Sequence, residues 1–375
     1  MEFAYFDAAA TTPVCPEAAQ AALEVMTGTF GNPSARYALG SAAAQRLQAD
    51  RSCIASVLGC GLEELVFTSC GTEGDNWAVR AAAALGARRG RHIITTAIEH
   101  AAVLEPLRAL EQEGWCVTRL KPDRTGHISV EAVQAALRPE TVLVSMMLVN
   151  NELGTIQPVA KAVQAVKAYD RQILFHTDAV QGFLKIPFTP AELGVDLLTL
   201  SGHKIGAPKG IGVQYIRSGL SLPPFILGGG QEGGSRSGTE PTAQIAALAA
   251  ACRAWKADYP ARLAACKETA LHALTQIHGL EVITSGDVPH ICTVSLPGYP
   301  SEMLVRALGD RGVYVSAGSA CHRGKPSHVF AALGLPKRNL MGALRISFSP
   351  QTTQNEIARL CTALREIMQE RVPMK

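Results

Sequence analysis

The sequence predicts an α/β fold: a large domain with a mostly parallel sheet, followed by a smaller α/β C-terminal domain. Three observations lead there. Short β-branched runs alternate with Ala-, Leu- and Glu-rich stretches of helical length between about residues 65 and 217. The chain has 375 residues and is 47% hydrophobic, ample for a sizeable core. After "LGGGQEGGSRSGTEP" the alternation stops and a long Ala-rich region begins.

Seven runs read as strands: "LVFTS", "RHIITTAI", "WCVTRL", "TVLVSMMLVN", "QILFHTDA", "DLLTLS" and "GVQYI". Helical stretches separate most of them, among them Glu73–Leu85, Ala101–Glu113 and Val159–Tyr169. Strands alternating with helices favour parallel pairing, with helices on both faces. Residues 13–254 are assigned to this large domain. Thr242 to Gln276 reads as a long helical region leading into the second domain, 255–375, which the first dozen residues join. Thr353 and Glu356 form a capping-box pattern there. Ile357, Leu360, Cys361, Leu364, Ile367 and Met368 then recur at helical spacing.

The bulk properties exclude several functions. A net charge of +3 without a basic or acidic block indicates neither a nucleic-acid groove nor a membrane patch. The longest apolar run, near "TVLVSMMLV", is too short to span a bilayer. "MEFAYFDAAATTP" lacks the positive-then-apolar order of a secretory signal. Ten cysteines without CxxC pairs predict a reducing cytoplasm and no metal site. Each cysteine taken alone reads as a small buried hydrophobe.

Three strand ends carry polar groups that a core strand does not need. "QILFHTDAVQG" ends in Asp178 and Gln181, "RHIITTAIEH" in His100, and "DLLTLSGHK" in Ser201, His203 and Lys204. Each has a plain reading: Asp178 as a helix cap, His100 as a satisfied core histidine, Lys204 as a solvated charge. Together they converge on one rim of the sheet, where ligands bind in folds of this class. Chemistry gives them a joint use. A partly desolvated lysine forms a Schiff base with an aldehyde. Pyridoxal phosphate needs such a lysine, an acid for its pyridinium nitrogen and a phosphate cradle. Asp178 suits the pyridinium. Gly71 and Thr72, at the start of a helix in "SCGTEGDN", offer an anion site, which Ser201 and His203 could complete. The same turn is equally a helix cap.

These residues lie in motifs that resemble the cysteine desulfurases, which are class V, fold-type I enzymes using pyridoxal phosphate. The resemblance runs nearly end to end, through "YFDAAATTP", "GNPSA", "FTSCGTEGDN", "TTAIEHAAV", "VNNELGTIQP", "HTDAVQ", "SGHKIGAPKGIG", "GGGQEGGSRSGT" and "SAGSACHRG". It implies that Lys204 holds the cofactor covalently. Asp178 would pair with the pyridinium nitrogen, Gln181 would bond the phenolic oxygen, and His100 would stack on the ring and assist proton transfers. Gly71, Thr72, Ser201 and His203 would bind the phosphate. Thr239 would reach the phosphate of a second subunit, which implies a homodimer. Arg345, in "LRISF", and Asn151 would hold the substrate carboxylate. Asn151 would also touch the cofactor, and Asn32 is a further candidate for the substrate.

The resemblance also implies the reaction. L-cysteine binds, Lys204 removes its Cα proton, and the thiolate of Cys321 attacks the substrate sulfur. Alanine leaves and a persulfide stays on Cys321, for a sulfur-acceptor protein of iron–sulfur cluster assembly or tRNA thiolation. His322 and Arg323 would favour the thiolate electrostatically. The segment "HRGKPSHV" is shorter than in relatives with a long loop at this point, and Cys70 receives no role. Two other functions use parts of the same sequence. An aminotransferase or a selenocysteine or cystine lyase would not need Cys321, and a non-catalytic scaffold would not need Lys204.

Overall fold

The computed structural model describes residues 3–317 and 327–371. Its strands, in chain order, are β1 (Ala4–Tyr5), β2 (Leu65–Thr68), β3 (His92–Thr96), β4 (Cys116–Leu120), β5 (Thr141–Ser145), β6 (Leu174–Asp178), β7 (Leu197–Ser201), β8 (Gly212–Ile216), β9 (Glu281–Thr284), β10 (Ile291–Ser295), β11 (Val313–Tyr314) and β12 (Ala343–Ser347).

All seven sequence-predicted strands form, and they join in one sheet in the order β2-β8-β7-β6-β5-β3-β4. β8 runs against both of its neighbours, and every other adjacent pair is parallel. β3, β5 and β7 are buried along their whole length, which is why they read as unbroken apolar runs. β4 lies at an edge, and only its Leu120 is buried. The helix Gly71–Gly86 packs across the sheet against β5, β6, β7 and β8. Two of its glycines, Gly74 and Gly86, allow that close approach. A Cβ on Gly74 would stand 2.8 Å from Thr199 Cγ2, and one on Gly86 would stand 2.4 Å from Val142 Cβ.

The Ala-rich region is two helices, Thr242–Ala254 and Tyr259–Thr275, where a single one was expected. The cause is Pro260, which fits the first turn of a helix but not its interior. Trp255, extended, closes the first of the two.

A second apolar cluster gathers around the antiparallel sheet β12-β10-β9, with Phe6, Leu274, Leu304 and Phe348 buried in it. The last helix, Gln354–Glu370, covers it. Thr353 Oγ1 accepts from Glu356 N at 3.3 Å, and Glu356 Oε2 accepts from Thr353 N at 2.7 Å, so the expected capping box is present. Ile357, Leu360, Cys361, Leu364 and Ile367 are buried on its inner face, and Met368 is packed at the margin. The start of the chain belongs here too, since β1 pairs in parallel with β11.

From β1 the chain crosses to the rim of the large sheet. Ala9 N donates to Ser347 Oγ of β12 at 2.9 Å, and Thr12 N donates to the His203 carbonyl beyond β7, also at 2.9 Å. Residues 7–12 thus stitch the two sheets together. No helix among the described residues is long and apolar enough to cross a membrane.

Candidate active site

β2, β3, β5, β6 and β7 all point the same way, so their carboxyl ends share one rim. A cavity of about 530 Å³ opens there. Lys204, His203, Ser201, Asp178, Gln181, His100, Gly71, Thr72, Asn151 and Arg345 all line it, so ten of the sequence-predicted residues meet in one place.

Lys204 ends a short 3-10 turn, Gly202–Lys204, directly after β7. Its Nζ donates to the carbonyls of Ala9 (2.8 Å) and Ala10 (2.7 Å). Burial depresses its pKa, and the Arg345 guanidinium adds to this. Asp178 and Asp7 oppose the shift, which leaves the amine at about 8. The turn is braced from the N-terminal side. Thr12 Oγ1 donates to the His203 carbonyl at 3.0 Å and accepts from Gly206 N at 2.8 Å. Gly206 sits at φ +89°, a conformation that glycine adopts without strain.

Asp178 is the last residue of β6 and only 7% exposed. Its Oδ1 accepts from Val180 N at 2.9 Å. Burial, and then the nearby Asp75, push its pKa up to about 7, against the pull of His100 and His176. A cation in the cavity would restore its charge.

A layer of buried polar groups lies under Asp178. His176, fully enclosed, meets Ser145 Oγ through Nδ1 (2.9 Å) and Thr199 Oγ1 through Nε2 (3.1 Å). Its Nε2 is also 3.5 Å from Asp75 Oδ1. Burial holds His176 down at about 4 and pushes Asp75 up to about 7, so this contact is poorly charged near neutrality and weaker than an ion pair. Glu99 accepts from Thr96 Oγ1 (2.7 Å) and Met147 N (2.9 Å), and burial raises it to about 8.

His100 caps the helix Ala101–Gln112. Its Nδ1 accepts from Ala102 N at 3.1 Å, so the neutral ring carries its proton on Nε2. The ring is open to the cavity yet enclosed by protein elsewhere, and that enclosure lowers its pKa. His203 Nδ1 meets Thr11 Oγ1 at 3.1 Å. Burial and the adjacent lysines hold His203 at about 4.

Gly71 and Thr72 begin a helix whose N-cap residue, Cys70, makes no side-chain cap bond among the described residues. The first N–H groups of that helix have no intrahelical partner and face an anion-ready end. A Cβ on Gly71 would press on Val180 Cγ2 at 3.1 Å, which accounts for the glycine.

On the opposite wall, Arg345 is 4% exposed. Its Nη1 donates to the Asn151 carbonyl at 3.0 Å and its Nη2 to Asp7 Oδ1 at 2.7 Å. Its Nε has no hydrogen-bond partner among the described residues.

Two expected site residues are not brought to this cavity. Asn32 is exposed, and its Oδ1 accepts from Ser34 N at 2.9 Å in a local turn. Thr239 is exposed on a glycine-rich loop outside the cavity of its own chain. Cys321, His322 and Arg323 lie outside the described residues. Sequence reasoning missed Asp7, Asp75, Glu99 and His176. His176 had a signal, being a polar residue in the middle of an apolar strand. Asp75 had one as well, within the quoted "SCGTEGDN".

An α/β chain with a lysine and a buried carboxylate on one sheet rim matches a known class: residues 4–360 correspond to the aminotransferase class-V family, to which this chain belongs. A cysteine desulfurase of Trichormus azollae is 39% identical over 381 residues, covering 98% of this chain and 94% of that protein. A solved NifS-like protein superposes with a TM-score of 0.94 at 34% identity, over 99% of this chain and 100% of the other. The structure of SspA in complex with cysteine gives a TM-score of 0.83 at 35% identity, over 93% and 100% of the two chains. Within its family, the chain is a member of the cysteine desulfurases.

Proposed function

We propose that the cavity binds pyridoxal 5'-phosphate and L-cysteine, and that the products are L-alanine and a persulfide on Cys321. One observation carries this reading: Lys204 and the buried Asp178 converge on a single cavity beside an uncapped helix N-terminus.

The residues present fit the cofactor. Lys204, with its pKa near 8, supplies an amine that is partly unprotonated near neutrality and able to hold an aldehyde. Asp178 is raised by burial and forms no ion pair of salt-bridge length with a side chain among the described residues, which suits a pyridinium nitrogen. The N–H groups of Gly71 and Thr72, with Ser201 and His203, suit a phosphate. Gln181 and His100 complete the set. When bound, the cofactor supplies an electron sink for charge developing at the substrate Cα.

The chain's own groups do the rest. Arg345 lines the cavity and binds the substrate carboxylate with a guanidinium fork suited to it, and Asn151 stands beside it. Lys204 is the base for the Cα proton. With two N–H groups donated to Ala9 and Ala10, the neutral amine keeps its lone pair directed away from both carbonyls. His100 holds a second proton, on Nε2. Ser316, a few residues before Cys321 in the sequence, lines the cavity. The Cys321 thiolate attacks the substrate sulfur. The sulfur–sulfur bond forms as the Cβ–sulfur bond breaks, and the electron pair left on carbon takes up a proton to give alanine.

A homodimer gives a role to Thr239 and to exposed apolar side chains such as Met26 (59%), Phe30 (64%) and Leu227 (82%). The persulfide would pass to an acceptor protein of iron–sulfur cluster assembly or tRNA thiolation. The described cysteines are all free thiols, which suits the cytoplasm. The cofactor assignment is tested by loading the protein with pyridoxal phosphate, reducing it with borohydride and mapping the adduct. It belongs on Lys204. Adducts confined to other lysines would overturn the reading.

A further inference from the structure

Gln181 sits between the cavity and His290, and its amide is fixed in one sense. Nε2 donates to the Ala9 carbonyl at 2.8 Å, and a carbonyl only accepts. Oε1 therefore faces His290 Nε2, 3.3 Å away. That contact is a hydrogen bond only if the His290 proton resides on Nε2, which leaves Nδ1 bare. Nδ1 is in fact buried, with no hydrogen-bond partner among the described residues. Both side chains are sealed, Gln181 at 3% exposure and His290 at 1%. Burial, together with Lys185, Lys267 and Arg345, keeps the His290 ring neutral.

Gln181 thus has its oxygen committed to His290 and one amide hydrogen committed to Ala9. The second amide hydrogen is what it can offer to the cavity it lines. The Ala9 carbonyl also accepts from Lys204 Nζ at 2.8 Å. A continuous run of contacts, His290 to Gln181 to Ala9 to Lys204, links a histidine outside the cavity to the lysine inside it.

We propose that His290 is a positioning residue for the cofactor. Together with the Ala9 carbonyl, it holds the Gln181 amide so that an N–H, not the oxygen, faces the phenolic oxygen of bound pyridoxal phosphate. This rests on the cofactor reading above. His290 touches neither cofactor nor substrate, and it acts through Gln181.

The test uses the full chain stripped of cofactor and titrated with pyridoxal phosphate, read by visible absorbance. H290F removes the N–H and keeps a ring; H290Q restores a donor. H290M replaces H290F should the latter not fold, as judged by thermal melting. The phenylalanine variant is expected to bind the cofactor about fivefold more weakly, the scale of one hydrogen bond, and to shift its visible band. H290Q should recover both. In a Q181A background, H290F should add nothing further, because the two positions act as one unit. Wild-type affinity and an unshifted band in H290F would overturn the proposal, as would an undiminished effect in the Q181A background. A parent protein that takes up no pyridoxal phosphate would overturn the cofactor reading itself, and this proposal with it.

Discussion

Arg345 Nη2 donates to Asp7 Oδ1 across 2.7 Å, joining β12 to the segment that crosses between the two sheets. The same guanidinium donates to the Asn151 carbonyl, so three parts of the chain set its plane. A lysine would keep the charge but lose the planar fork. Arg345→Lys is expected to raise KM for L-cysteine by tenfold or more, as about 1.5–3 kcal/mol of charge-assisted bonding is lost. Steady-state kinetics on the folded variant measure this. An unchanged KM would remove Arg345 from substrate binding.

Lys185 makes the opposite prediction, a gain in stability. It is 4% exposed, and its Nζ has no hydrogen-bond partner among the described residues. It follows Leu184, whose φ of +64° places the backbone in the left-handed region and marks local strain. Burial, and then Lys204, lower its pKa from 10.5 to about 7. The unfolded chain binds the proton more tightly, so the penalty is full below about pH 7, shrinks as pH rises, and vanishes above 10.5. Lys185→Met should therefore raise the melting temperature at pH 6.5 and much less at pH 10. The gain at the lower pH should reach a few kcal/mol, because each tenfold loss of proton affinity on folding costs about 1.4 kcal/mol. Equal gains at both values would contradict this.

Asp178→Asn should separate stability from activity. The carboxyl rises from 3.8 to about 7 on burial, so without cofactor its charge costs stability. That cost is absent below about pH 4, grows through the interval and is full above 7. The cofactor-free variant should melt higher than its parent at pH 8 and alike at pH 4. Turnover should nonetheless fall about 100-fold or more, the scale of losing a preorganised charge at the reacting group. A variant as fast as the parent would refute the role of Asp178.

Much of this was legible in the sequence. The seven strands were, most plainly β3, β5 and β7, because parallel strands buried along their whole length leave unbroken β-branched runs. The cavity residues on single strand ends were also readable, since Asp178, His100 and Lys204 each interrupt an apolar run at the point where a parallel sheet binds ligands. The helix break at Pro260 was not, because alanines on both sides of it fit one helical period. Asp7 escaped notice because its partner, Arg345, is 338 residues away and no local pattern couples them. His290 escaped for the same reason, as its role depends on Gln181, 109 residues earlier. Asn32 came from a motif alone, and within one chain its side chain closes a local turn away from the cavity.

The central claim is that sulfur leaves L-cysteine and stays on one thiol. Mass spectrometry of the intact and digested protein, after incubation with L-cysteine and quenching by an alkylating agent, tests it directly. The account predicts one additional sulfur atom, mapped to Cys321, with alanine released in step. Alanine formed with no sulfur on Cys321, or at an undiminished rate by a Cys321→Ser protein, would contradict it.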